Sequence, residues 1–419
     1  MSLPARDVGV DARPDARTLR RWKIAIFAIF AASGLALATW ASRVPAIKDT
    51  LAIDNVDVGL MLLVAGAASL VGLSLASVLL ARVGARRSMF AAMIVYALGV
   101  GLVGVGADLA GSYPLVVLGL ALFGLGNGAV DVMMNVEGAA IETATAKTLL
   151  PLFHASFSFG TVLGAGAGAL AALWGADVFT HASIITALIL AIAFGSMRAV
   201  PARQAAMDPD APGARGTSRR ARLAAALSAW REPRTYALGI VILGMAFAEG
   251  GANDWLALGM VDGHGADEAL GALGLATFSV SMTAMRLVGG PLVDRFGRVA
   301  TLRVLAVTSA VGLLLFILAP TLPLVFVGAA LWGAGTSLGF PLGMSAAADD
   351  PARAAARVSA AAAIGYLAFL CGPPLLGFLS EQIGLLPTLF LLVVLIVASG
   401  LASAATRPLP GTQVGAGRH

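Results

Sequence analysis

PLVVLGLALFGLGNGAVDVMMNVEGAAIE, residues 114–142, begins as a membrane helix and turns polar before it ends. A bilayer takes about 20 apolar residues to cross, and this stretch supplies them while also carrying Asn127, Asp131, Asn135, Glu137 and Glu142. At about 100° per residue, Asn127, Asp131 and Asn135 fall within roughly an 80° arc, and Glu142 returns to the same face further on. The result is a polar stripe down one side of a buried helix. Helix packing through buried amides accounts for the asparagines. A lone carboxylate in hydrocarbon costs several kcal/mol, so Asp131 is expected to face a watery cavity or a partner.

Composition says what kind of chain holds such a helix. Of its 419 residues 58% are apolar and 12% charged, and the mean hydropathy is +0.88, far outside the soluble range. The chain is expected to be polytopic, with the lipid bilayer as its solvent. A net charge of +5 suggests nucleic acid only until the basic residues are placed. They lie in short loops without interleaved aromatics, so no nucleic-acid partner is expected. Cys371 is the single cysteine and lies in an apolar segment. It offers no disulfide framework and no cysteine-ligated metal, and no metal or cofactor is expected.

Residues 1–20 are polar and rich in Arg, Asp and Pro and read as a disordered tail. Six apolar spans follow, over 22–44, 57–81, 88–107, 114–142, 150–174 and 178–197. The third contains GVGLVG, with Gly99, Gly101 and Gly104, which matches a dinucleotide fingerprint letter for letter. The fingerprint needs a strand before it, whereas these glycines lie mid-helix where small residues let helices approach. Gly160, Gly164 and Gly168 in the fifth span have the same use. The composition then breaks. Residues 198–234 hold eight arginines against Asp208, Asp210 and Glu232 and read as a flexible linker. Six more spans are expected over 236–261, 270–293, 301–319, 322–347, 355–379 and 385–405, then a short tail from 406 to 419.

Twelve crossings put both termini on one side. Apart from Arg43, Lys48 and the intramembrane Arg286, every Lys and Arg lies in the tails, the linker or the loops on that side, so both termini are expected in the cytoplasm. The halves also resemble each other. Arg82-x-Gly84 recurs as Arg295-x-Gly297, Trp40 as Trp255, and Phe123-Gly-Leu-Gly126 as Trp332-Gly-Ala-Gly335, with offsets of 213, 215 and 209 residues. A duplicated six-helix unit follows, with bundles over 21–197 and 235–405.

GPLVDRFGR, with Gly290, Asp294, Arg295, Gly297 and Arg298, resembles the loop motif of the major facilitator superfamily, and six spans, a linker and six spans is that family's plan. The resemblance implies an all-α membrane protein of two pseudo-symmetric bundles. The first-half copy of the motif is degraded, with Ser77 and Ala81 in place of glycine and acid. Within the family, GNGAVDVMMN around Asp131 is similar to the fourth helix of fucose permeases, where an acid four residues before an asparagine is linked to proton coupling. NVEGAAIE, AFAEGGANDWLALGMVDGHG and GYLAFLCGPPLLG look closer to YbjJ-like bacterial inner-membrane proteins. The first span lacks the acid that fucose permeases carry, so a sugar substrate is not carried over.

The resemblance implies a cavity lined by spans one, four, seven and ten, which supplies Trp40, Asn127, Asn135, Asn253, Trp255, Trp332 and Phe340 for a small polar solute. Asp131 and Glu249 are the proton-coupling candidates. Depth along each helix nominates gates: Arg43 with Asp254 at the far ends of spans one and seven, and Arg286 with Glu137, near His154, on the terminus side. Arg286 pairing with Asp294 in its own half is the alternative. Proton-linked transport of a small solute by one chain in a bacterial inner membrane is therefore expected. An efflux antiporter is the alternative, although Gly160-x-x-x-Gly164-Ala165-x-x-Gly168 lacks the proline of the antiporter motif. A non-transporting sensor ranks behind it because the linker is short. No enzyme is expected: the chain has neither GxxxxGK[ST] nor HExxH.

Overall fold

Every residue that crosses hydrocarbon must satisfy its backbone internally, and this chain does so with helices throughout. The computed structural model describes residues 15–145, 147, 149–201, 228–350 and 353–408. The expected tail over 1–14, most of the linker and the last eleven residues lie outside the described residues. Among the described residues twelve helices are long and apolar enough to span a membrane. They run Ala16–Leu51, Asn55–Val83, Ala85–Leu109, Tyr113–Thr145, Leu152–Leu173, Val178–Met197, Pro233–Gly263, Glu268–Phe296, Arg298–Leu318, Leu322–Ala347, Ala356–Ile383 and Leu385–Thr406. Their order matches the hydropathy reading, and they are numbered one to twelve below. Both described chain ends lie at one end of the bundle, the terminus end; the other is the far end.

The ends of the spans are set by local chemistry. Four start behind an aspartate cap: Asp15 accepts from Thr18 N at 2.6 Å, Asp54 from Asp57 N at 2.8 Å, Asp177 from Thr180 N at 2.7 Å and Asp267 from Leu270 N at 2.8 Å. Each cap satisfies one of the amide donors that a helix start leaves open. Asp15 explains why the first span starts inside the stretch read as tail. Gly84 and Gly297, 213 residues apart, close the turns after spans two and eight with nearly the same backbone, φ +86° ψ 159° and φ +78° ψ 160°. Positive φ favours glycine, so the repeated Arg-x-Gly is a repeated corner.

Two spans are broken by proline. Span one is helical to Ala41 and resumes at Val44, with Pro45 inside the new first turn. Span ten stops at Thr336 and resumes at Gly339. There Pro341 has no N–H to give the carbonyl of Ser337 four residues back, so that carbonyl is left free for another donor.

Small residues bring spans one and five together. A Cβ on Gly160 would run into the carbonyl of Ala31, and one on Gly164 would lie 2.6 Å from that of Leu35. Gly99 and Gly104 likewise face spans four and six, which bears out packing rather than nucleotide binding. Spans one to six and seven to twelve form the halves, which meet where span five packs on span eight and span two on span eleven.

Candidate functional site

Between the halves lies a cavity of about 300 Å³. Spans one, two, four and five give it Leu37, Trp40, Ser69, Phe123, Asn127, Asp131 and Phe157, and spans seven and eleven give it Asp254, Tyr366, Leu370 and Pro373. The polar stripe of span four thus faces it through Asn127 and Asp131. Ser33 Oγ donates to Asn127 Oδ1 at 2.7 Å and ties span four to span one. Asn135 continues the stripe without lining the cavity: its Nδ2 donates to the Asp131 carbonyl at 2.8 Å and lies 3.4 Å from the Asp131 carboxylate. His154 Nε2 donates to Asn135 Oδ1 at 3.1 Å. A hydrogen-bonded line therefore runs from Asp131 through Asn135 to the exposed His154 near the terminus end. Glu142, last in the stripe, caps span five by accepting from the amides of Leu149 and Leu150 at 2.5 and 2.8 Å.

The expected gates are corrected by the structure. Arg286 meets neither Glu137 nor Asp294. Its Nη2 donates to both oxygens of Glu249 at 2.9 and 3.0 Å, its Nε to the Ser337 carbonyl at 3.1 Å and its Nη1 to Ser158 Oγ at 3.2 Å. The carbonyl freed by Pro341, at the negative end of a half-helix, is what draws the guanidinium there. Glu137 is instead fully buried within the first half. Arg43 does not pair with Asp254 either. It donates to the Ala176 carbonyl at 2.8 Å and lies 3.7 Å from Glu268, whereas Asp254 turns into the cavity. Consecutive positions differ by about 100°, and Asp254 points where the sequence reading had Asn253 and Trp255.

Trp255 and Trp332 are corrected too: both are fully buried in the second half. Trp332 stands edge-on between Phe278 and Phe316, with centroids 5.6 and 5.7 Å away, a preferred aromatic geometry. Phe340 packs on the small core of Leu238 and Ile242 beside span eleven rather than in the cavity. Sequence reasoning also missed Tyr366 and the pairing of Lys48 with Asp262, 2.5 Å apart at the far end.

In the loop motif, Arg298 holds Asp349 at 2.6 Å and Ser345 at 3.1 Å, while Asp349 also takes Arg234 at 3.2 Å. Asp294 and Arg295 are exposed, with Arg295 over the ring of Phe296. Gly335-Thr-Ser337-Leu-Gly339 matches the hydrolase elbow GxSxG in letters only. Ser337 is buried at the break in span ten, donates to the Ala334 carbonyl at 2.7 Å and has no strand before it.

Two six-helix halves around a central cavity at mid-depth define a membrane transporter. The Major Facilitator Superfamily profile matches residues 24–276 and 255–418, and the chain belongs to that family. It is 32% identical over 366 residues to an uncharacterized transporter, y4wD, of Sinorhizobium fredii, covering 87% of this chain and 92% of that one. An uncharacterized MFS-type transporter of Yersinia pestis is 29% identical over 381 residues, 90% of this chain and 93% of its own. Among solved structures, a point mutant of the nucleoside transporter NupG superposes with a TM-score of 0.75 at 14% identity, over 93% of this chain and all of that one. The transporter FucP, in its outward conformation, gives 0.62 at 17% identity over 92% and 98%.

Proposed function

We propose that this transporter carries a small polar solute by proton-coupled alternating access across a bacterial inner membrane, as a single chain with both termini in the cytoplasm. One observation carries the reading: the cavity between the halves receives one carboxylate from each of them, Asp131 and Asp254. An acid in such a place exchanges protons only through the cavity, so occupancy by a proton or a solute can bias which way the halves tilt. Hydrogen bonds from His154 to Asn135 and from Asn135 to Asp131 steady the carboxylate on the terminus side. Glu249, the other coupling candidate, is held by Arg286 and serves the ion pair instead.

The test is uptake and export of radiolabelled polar solutes in proteoliposomes with and without an imposed pH gradient. Asp131→Asn should abolish gradient-driven accumulation while leaving solute exchange intact. Accumulation that survives in that variant removes Asp131 from coupling, and the absence of any response to the gradient in the native protein removes the coupling itself.

A further inference from the structure

A groove of about 380 Å³ runs between spans one and six at the terminus end. Arg21 and Arg198 stand at its mouth, and Ile24, Ala25, Ala28 and Ile192 line it further in. From Arg21 to Ala28 the helical rise carries it about 10 Å toward the hydrocarbon. Small residues keep it open: a Cβ on Gly195 would meet nothing within 4 Å. Both arginines are exposed, and among the described residues neither makes a hydrogen bond or an ion pair. Asp15, whose charge Arg21 feels, is spent on capping Thr18 N. Arg86 donates to the Val200 carbonyl at 2.6 Å and so brings the basic turn of Arg82 and Arg87 to the same end of span six.

A second observation concerns Ser196, on the groove wall two residues before Arg198. It is 6% exposed, and its hydroxyl has no hydrogen-bond partner among the described residues. A serine buried in a helix ordinarily donates to a carbonyl of the turn before it, as Ser42, Ser156 and Ser380 do in this chain. Ser196 leaves its donor at the groove wall, and such a donor is costly until an oxygen reaches it. The duplicated half supplies a contrast. Arg234, 213 residues after Arg21, spends its guanidinium on the end of span twelve, with Nε donating to the Ala405 carbonyl at 3.1 Å and Nη2 to the Arg407 carbonyl at 2.9 Å. There the arginine ties its two spans together; between spans one and six it stands over an open groove.

We infer that this groove binds an anionic phospholipid of the leaflet at the terminus end, with its phosphate at Arg21 and Arg198, an ester oxygen accepting from Ser196 Oγ and an acyl chain over Ala25, Ala28 and Gly195. The order in depth is that of the lipid itself: charge at the mouth, a hydroxyl about 3 Å further in, and an apolar wall beneath. Arginine suits a phosphate because its planar fork offers parallel donors, and basic pockets between spans are where such headgroups bind. The bound lipid joins span one to span six as Arg234 joins span seven to span twelve. The site lies outside the central cavity, and the inference holds whatever solute the cavity carries.

The test follows the thermal midpoint of the purified full chain in detergent as dioleoylphosphatidylglycerol is added, with dioleoylphosphatidylcholine and inorganic phosphate as the other arms, since a ligand that binds the folded state raises it. Phosphatidylglycerol should raise the midpoint where the other two do not. Arg21→Gln with Arg198→Gln should weaken the lipid by about thirtyfold, roughly fivefold for each arginine. Gly195→Leu keeps both charges and puts its side chain into open space, so the protein stays folded while the groove is filled and the lipid response should be lost. Arg82→Gln with Arg87→Gln removes as much charge from the same end and should leave the affinity nearly unchanged. A response to phosphatidylcholine or to inorganic phosphate as large as that to phosphatidylglycerol, or no response to phosphatidylglycerol, overturns the inference. So does a full response in Gly195→Leu. An equal loss in the Arg82 and Arg87 variant also overturns it, because the attraction is then to the basic end at large and not to the groove.

Discussion

The two ends of the bundle are held together by different means. At the far end three polar links join the halves: Lys48 to Asp262, Arg43 to Glu268, and Asn55 N to Glu381 at 2.8 Å. Backbones touch there as well. A Cβ on Gly377 would run into the Asn55 carbonyl, and one on Gly59 would come within 2.8 Å of Pro373 O. At the terminus end the ion pairs among the described residues stay within the second half, from Arg298 and Arg234 to Asp349 and from Arg353 and Arg357 to Glu232. Those clusters strengthen one half without resisting its separation from the other. The contrast teaches that this conformation is sealed at the far end, and that the seal is made of contacts that would have to break for that end to open.

The largest test falls on Arg286, the charged link between the halves on the terminus side of the cavity. Arg286→Ala leaves Glu249 partly buried without its counter-ion, a change worth about 3–5 kcal/mol. The thermal midpoint should drop strongly and transport should be lost. Adding Glu249→Gln should recover most of the stability, because the stranded charge is then gone. If the single variant melts like the native protein, the pair is not what anchors span eight.

Next is the far seal. Gly377→Leu inserts bulk where spans two and eleven touch and should hold the far end open, so a cysteine at Ser69 in a Cys371→Ser background should label from the far face. No gain in labelling would mean that the glycine contact is not the seal. Lys48→Ala should act in the same direction but weakly, since partly exposed pairs contribute about 0.2–1 kcal/mol. A few-fold rise in labelling is expected. A rise matching that of Gly377→Leu would shift weight from backbone contact to charge.

The smallest effect belongs to the terminus end. Burial pulls the Glu232 pKa upward, but hydrogen bonds and charge from Arg357 and Arg353 outweigh it and hold it below its ordinary 4.5. A depressed folded-state value stabilises fully above about pH 4.5 and the contribution fades as the pH falls through the lowered value. Melting curves of Glu232→Gln should therefore differ from those of the native protein near neutral pH and converge with them in acid. Labelling at the far face should not change.

Almost all of the fold was legible because bilayer thickness fixes helix length and hydropathy reports it. Proline breaks and caps moved ends by a few residues. Asp131 was legible as well, since a lone acid in an apolar helix has few reasons to be there. What the sequence could not supply was rotation and neighbour. Asn253, Asp254 and Trp255 sit about 100° apart, and nothing local says which of them faces inward. Pseudo-symmetry misled at Trp332: its counterpart Phe123 lines the cavity, but the second half turns its own ring into the core. Arg286 carried a usable signal that was missed, because Pro341 marks a carbonyl in need of a donor.

Glu142 gives the mechanics one more part. By accepting both amide hydrogens at the start of span five it clasps that span to the end of span four, and the bond from His154 to Asn135 fastens the same two helices about one to two turns deeper. These bonds tie two helices that otherwise pack on different neighbours, span four on spans two and three and span five on span one. Ser158, one turn beyond His154 on span five, touches Arg286 across the seam, so the hydrogen bonds that reach Asp131 and the contact between the halves share one helix.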